Sequence, residues 1–278
     1  MAIKDIVCLL DTETDLTTAP VQIATEIASH LNAHLTGVAP LIEPVVPALM
    51  VQPVPDQFIA DARNRSIQKA KSALERFSEY AQKSDVTLET RLLDITPGGL
   101  ETFVNNTRLC DLIIVGQDNP DKPEPLRADL IEAALFDSGQ PIMVVPYVGT
   151  EAFSAKKVMV AWDGSKTAAR AIHAAMPILE LAEEVQVVLV DGKKLHLPGD
   201  PGADLATYLA RHGVEVTISS VSSEGKGVAG ALLDYVESNK IELVVMGGYG
   251  HSRMREFIMG GATREMLTSM SVPCIMAH

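Results

Sequence analysis

The chain has 278 residues, 47% hydrophobic and 21% charged, the composition of an ordinary globular protein with room for two domains that each bury a core. With 23 lysines and arginines against 36 aspartates and glutamates, the net charge of −13 has the wrong sign for sequence-independent nucleic-acid binding. It leaves open a small anion held in one local pocket.

The N-terminus, MAIKDIVCLLD, places only a short apolar run between Asp5 and Asp11. That is too short for a signal-peptide core, and no small-residue cleavage site follows. His30 and His34 stand four apart near a helix end, a spacing that can hold a metal, but no third ligand is suggested and a surface or capping role is expected. The most apolar stretch, Pro40–Pro55, is broken by prolines and by Glu43. No membrane span is predicted, and a cytoplasmic protein is expected. Cys8, Cys110 and Cys274 are few, odd in number and far apart, which reads as reduced core thiols.

One pattern occurs twice. KDIVCLLD at Lys4–Asp11 recurs as KKVMVAWD at Lys156–Asp163, DLIIVG at Asp111–Gly116 as ELVVMG at Glu242–Gly247, and PIMVV at Pro141–Val145 as PCIMA at Pro273–Ala277. The offsets are 152, 131 and 132, so the first copy holds about twenty extra residues between its first and fourth strands. Pro40–Pro55 is the expected insertion. A tandem duplication follows, with domains at residues 1–148 and 153–278.

In the second copy, β-branched runs at Val158–Trp162, Val185–Asp191, Glu215–Val221, Leu243–Gly247 and Cys274–Ala277 read as strands buried on both faces. Helical spacing separates them: Ala169, Ile172, Met176 and Leu179 after an N-cap at Ser165, then Val228, Leu232, Leu233 and Val236, then Met266, Leu267 and Met270. Strands alternating with helices predict an α/β fold of two tandem five-stranded parallel-sheet sandwiches, Rossmann-like and related by a pseudo-two-fold axis.

Ligands of open α/β sheets bind outside the strand carboxyl ends. There the second copy carries Asp163–Gly164–Ser165 after its first strand and Gly247–Gly248–Tyr249–Gly250 after its fourth, with Gly260–Gly261–Ala262–Thr263 opening the last helix. Glycines admit close backbone approach to an anion, and the amides of Gly261, Ala262 and Thr263 would face out of a helix N-terminus. From Gly247 to Arg264, Arg253, Arg255 and Arg264 stand against Glu256 alone, a local charge reversal suited to phosphate. The same glycines would also serve as turn residues alone, and His251 beside them could touch a phosphate or face water. No Walker A loop, G-x-G-x-x-G fingerprint, HExxH or nucleophile elbow occurs.

The spacing Gly247-x2-Gly250-x9-Gly260, with Gly261, Ala262 and Thr263 following, resembles the nucleotide-binding motif of the universal stress proteins. Asp163 and Val190 match the family's aspartate after the first strand and apolar residue ending the second. The resemblance spans both copies and identifies a tandem universal stress protein. It implies ATP, with magnesium, held by the second copy. Asp163 and the backbone near Ala161 would hold the nucleoside, and Val190 and Met246 would flank the base. Gly247 and Gly250 would pass beneath the ribose and phosphates, and Gly260, Gly261, Ala262 and Thr263 would cradle the phosphates, with the Thr263 hydroxyl as a donor. Val190 and Met246 read equally well as core, and Asp163 as a cap of the following helix. Gly261 stands where the family usually has Ser or Thr, so one hydroxyl contact is missing.

The first copy keeps Asp11 but follows Gly116 with Gln117–Asp118–Asn119–Pro120, and Gly116–Leu135 holds five acids against Lys122 and Arg127. It reads as a degenerate, structural or regulatory partner. The resemblance further implies domains paired through fifth strands, Ile142–Val145 and Cys274–Ala277, and a possible homodimer. The leading expectation is a nucleotide-dependent regulatory or stress-response protein with an unknown protein partner. A slow ATP hydrolase or nucleotidyl transferase, and a scaffold with a vestigial site, are the alternatives.

Overall fold

Strand and helix alternate through both halves of the chain. The computed structural model describes residues 2–14, 16–42, 56–95, 99–122, 124, 126–149, 152–192, 202–249 and 261–278. The first half runs β1 (Asp5–Leu9), α1 (Ala19–Leu31), β2 (His34–Ile42), α2 (Asp56–Ala81), β3 (Leu88–Ile95), α3 (Leu100–Thr107), β4 (Leu112–Gly116), α4 (Arg127–Asp137) and β5 (Ile142–Val145). The second runs β6 (Lys157–Ala161), α5 (Lys166–Leu179), β7 (Glu184–Val190), α6 (Ala203–Arg211), β8 (Val216–Val221), α7 (Gly227–Asn239), β9 (Leu243–Gly247), α8 (Gly261–Ser269) and β10 (Cys274–Ala277).

The expected pairing of the fifth strands joins the two five-stranded sheets into one. Strand order is β3-β2-β1-β4-β5-β10-β9-β6-β7-β8, every pair parallel except β5 with β10, which run antiparallel with Cys274 opposite Val144 and Met276 opposite Ile142. Each half has the same internal order, and joining the fifth strands removes two edges that would otherwise template aggregation. Registry at the sheet's amino end repeats as well. Asp111 Oδ2 accepts the Lys4 and Asp5 N–H groups at 2.7 and 3.0 Å, and Glu242 Oε2 accepts those of Lys156 and Lys157 at 2.9 and 3.1 Å. The acid that precedes the fourth strand thus anchors the start of the first strand in both copies.

Alternate strand residues feed two cores. Ile6, Cys8, Val158 and Val160 join α1, α2 and α5 on one face, and Val7, Leu9, Met159 and Met246 join α4 and part of α7 on the other. The three thiols are free and buried, and burial pushes those of Cys8 and Cys110 up to about 12 and that of Cys274 further. Val228, predicted on the apolar stripe of α7, is 45% exposed; Ala229 and Ala231 share the buried side with Leu232 and Val236 instead. The strand predicted to run to Trp162 ends at Ala161.

The extra length of the first copy needs a correction. Pro40 lies inside β2, opposite Leu93 of β3 and past Val38, the last β2 residue paired to β1, so its missing N–H costs the β1–β2 ladder no bond. Residues 43–55 lie outside the described residues. Much of the additional chain is helix, since α2 has 26 residues where the matching α6 has 9. No described helix is long and apolar enough to cross a membrane.

Candidate functional site

The carboxyl ends of β6 and β9 are shaped by short-range bonds. Asp163 is exposed and its Oδ1 accepts the Ser165 N–H at 2.9 Å across Gly164, whose φ of +76° suits glycine. Ser165 Oγ accepts the Ala168 N–H at 3.1 Å and so caps α5. Ser165 is thus the N-cap that the sequence predicts, and Asp163, the alternative candidate for that cap, organises the turn before it. Asp11 makes the matching turn in the first half, its Oδ1 accepting the Glu13 N–H at 2.7 Å.

Gly247 ends β9 directly beneath the first turn of α5. A Cβ there would stand 2.6 Å from both the Ala168 nitrogen and Thr167 Oγ1, so helix–strand packing alone requires glycine. The chain then turns through Tyr249 at φ +51°, and the Tyr249 N–H donates to Thr263 Oγ1 at 3.0 Å. Thr263 is buried. Its hydroxyl, implied as a phosphate donor, accepts within the turn and has its proton left to offer. Gly261 opens the described part of α8, exposed, and a Cβ there would meet none of the described residues within 4 Å. Ala262 is half-buried beside it.

Ala161, Val190 and Met246 come together on one face of the sheet, where Met246 belongs to the core cluster and the other two pack against it. Trp162 packs into the cluster on the opposite face. Gly250, His251, Arg253, Arg255, Glu256 and Gly260 lie outside the described residues. Asp191, which sequence reasoning passed over, borders the site at φ +51°, its two oxygens accepting the Ser223 N–H and hydroxyl at 3.1 and 2.5 Å. Nothing in its local sequence signals a partner 32 residues away. An open groove of about 300 Å³ continues from there between Val221 and Tyr235.

The first half fills the corresponding place. Its helix after the fourth strand opens on Arg127, 3% exposed, whose Nη2 donates to Glu124 Oε2 at 2.5 Å. Arg127 Nη1 is buried and has no hydrogen-bond partner among the described residues. Burial pushes the Glu124 carboxyl above the usual range, Arg127 opposes that, and Asp11 and Glu13 add to it. Helix α2 brings Lys69 onto Glu13 and Arg76 Nη2 to within 2.5 Å of the Thr14 carbonyl. Helix α2 thus brings two cations from a distant stretch of sequence to the turn after β1, where Asp11 and Glu13 balance them. The cavity beside Asp11 is about 10 Å³, room for roughly one water.

His30 and His34 separate: His30 Nδ1 pairs with the Glu26 carbonyl of its own helix at 2.7 Å, while His34 Nδ1 lies 3.9 Å from Asp5 Oδ1. Among the described residues no cluster of three or more His, Cys, Asp or Glu could hold a metal.

Residues 154–278 match the model of the Universal stress protein family. A curated universal stress protein from Synechocystis is 28% identical over 122 residues, 43% of this chain and 41% of that protein, so the match spans about two-fifths of its relative. A universal stress protein structure from Archaeoglobus fulgidus aligns over 98% of this chain and 94% of its own, at 16% identity and a TM-score of 0.71. A functionally unknown protein from Pseudomonas aeruginosa aligns over 99% and 92%, at 15% identity and a TM-score of 0.63. These two likenesses establish the fold of the whole chain. A universal stress protein solved in complex with cAMP aligns over 45% of this chain and 98% of its own, at 20% identity and a TM-score of 0.36.

Proposed function

We propose, from the premise that residues 154–278 form a universal stress protein domain, that the chain is an ATP-binding regulatory protein with one nucleotide site, in the second of two units spanning 1–148 and 153–278. The observation that carries this reading is the contrast between two matching helix starts. Among the described residues nothing occupies the space beside Gly261 at the start of α8, where backbone N–H groups and the helix dipole favour an anion. Arg127 occupies the start of α4 with a buried side chain. Asp163, Ala161, Val190 and Met246 lie at the same end of the sheet as Gly261 and fit the role of nucleoside and base contacts. Gly247, Gly250, Gly260, Ala262 and Thr263 are the remaining proposed contacts, with magnesium accompanying the phosphates. A cytoplasmic location and a protein partner that reads the bound state complete the proposal.

Mass spectrometry of gently purified protein tests it first: a co-purified adenine nucleotide is expected, and its absence together with no calorimetric ATP binding would overturn the reading. Titration is expected to give one ATP per chain. Gly250→Val should abolish binding and Asp11→Ala should leave it nearly unchanged. If each variant instead removes one of two sites, the asymmetric assignment fails. ATP with magnesium is also expected to shift Trp162 emission through the adjoining Asp163 turn. An unaltered spectrum in protein shown to be saturated would place the nucleoside away from that turn.

A further inference from the structure

The turn after β9 does not stand on the second half alone. A Cβ on Gly248 would lie 2.9 Å from Leu135 Cδ2, a buried side chain of α4 in the first half. The next α4 residue, Phe136, places its ring 4.7 Å from the Tyr249 ring and 4.9 Å from the His278 ring. His278 Nδ1 in turn lies 3.2 Å from the Gly248 carbonyl, which it reaches as a donor, and the Gly248 N–H donates to the Ala277 carbonyl at 2.9 Å. Tyr249 is the residue whose N–H binds Thr263, so a chain of contacts runs from α4 through Tyr249 to the first turn of α8. Glu132, one turn earlier on α4, faces the same group: it raises the Tyr249 hydroxyl further after burial has done so, while burial and Asp129 hold the Glu132 carboxyl itself above its ordinary value against the opposing pull of Arg264 of α8. The reverse contact also exists, since Gln117 of the first half, buried, donates from Nε2 to the Leu267 carbonyl of α8 at 2.8 Å.

We propose that Phe136 of the first half is a positioning residue for the nucleotide site of the second, holding Tyr249 in its left-handed conformation so that Thr263 and the start of α8 stay in register with β9. A non-glycine residue at positive φ persists only where its surroundings over-determine it, and the Phe136 ring supplies that restraint from outside the domain. The degenerate copy thereby has a task that its own loop sequence does not reveal. By linkage, whatever partner or ligand displaces α4 also changes nucleotide affinity, and nucleotide changes the stability of α4 by the same factor.

This inference rests on the nucleotide reading above, and one set of measurements on the full chain separates the two. Calorimetry with ATP and magnesium is run on the unaltered chain, on Phe136→Ala and on Phe103→Leu, a buried change in α3 that destabilises the first half without touching Tyr249. Loss of an aromatic pair of ordinary strength is expected to weaken ATP binding by roughly two- to tenfold in Phe136→Ala. Phe103→Leu is expected to bind as the unaltered chain does. Hydrogen exchange on the unaltered chain should show slower exchange across Arg127–Asp137 when ATP is added. Equal affinity in all three proteins, equal weakening in both variants, or exchange in α4 indifferent to ATP each overturns the positioning role. No binding by the unaltered chain overturns the nucleotide reading and the positioning role with it.

Discussion

Gly261→Asp is expected to abolish ATP binding while leaving the fold intact. No described residue lies within 4 Å of its missing Cβ, so the carboxylate enters without displacing any described protein atom. It sits at the N-terminus of α8, where an acidic side chain stabilises a helix by about 0.3–1 kcal/mol. The same carboxylate would stand where the phosphates are placed. Two like charges about 4 Å apart at an effective dielectric near 20 repel by about 4 kcal/mol, or close to a thousandfold in affinity. Gly261→Ser should act in the opposite direction, since it restores the hydroxyl that the family resemblance places there. One hydrogen bond to a charged group is worth about 1.5–3 kcal/mol, a gain of roughly tenfold or more. Calorimetry on the pair, with thermal unfolding as the fold control, reads both effects at one residue. An aspartate variant that binds ATP normally would remove the phosphates from the start of α8.

The second large effect is on stability. Arg127 is 3% exposed and Glu124 20%, so Glu124→Ala leaves a guanidinium buried without its carboxylate. Breaking a buried pair from one side costs about 3–5 kcal/mol, and denaturant unfolding is expected to show a loss of that order. Glu124→Gln, which keeps an oxygen for Arg127 Nη2, should lose less. Replacing both, as Glu124→Leu with Arg127→Met, also removes the unpartnered Nη1 and is expected to match or exceed the unaltered chain. The pH dependence has a definite sign. Burial holds the Glu124 carboxyl above its ordinary value, so the folded state binds its proton more tightly than the unfolded state does. The stability this contributes is complete below the ordinary carboxylate pKa and is lost as pH rises through the raised one. The double variant should lack that slope. A double variant as unstable as Glu124→Ala would show that the cost lies in packing and not in the unpaired charge.

The α/β class, the duplication and the strands of the second half were legible in the sequence because each rests on local pattern. Strands buried on both faces must be continuous apolar runs, and a repeated fold repeats them in order, as Asp111–Gly116 and Glu242–Gly247 do. The Asp11 and Asp163 turns were marked by acids at strand ends, and Gly261 by its place in a glycine spacing. What the tertiary structure decided are relations between distant residues. Whether Arg127 would face solvent or plug the end of the first half depends on Glu124 and on burial that no local count reveals. The cations beside the turn after β1 are invisible to any local count, because Lys69 and Arg76 arrive on α2, more than fifty residues away in the chain. In the sequence Gly247 suits close approach of a ligand, yet the first turn of α5 already requires it, since steric approach is a property of two packed elements. The contact of Phe136 with Tyr249 spans both halves, and it exists only because β5 and β10 pair and bring α4 over the turn that follows β9.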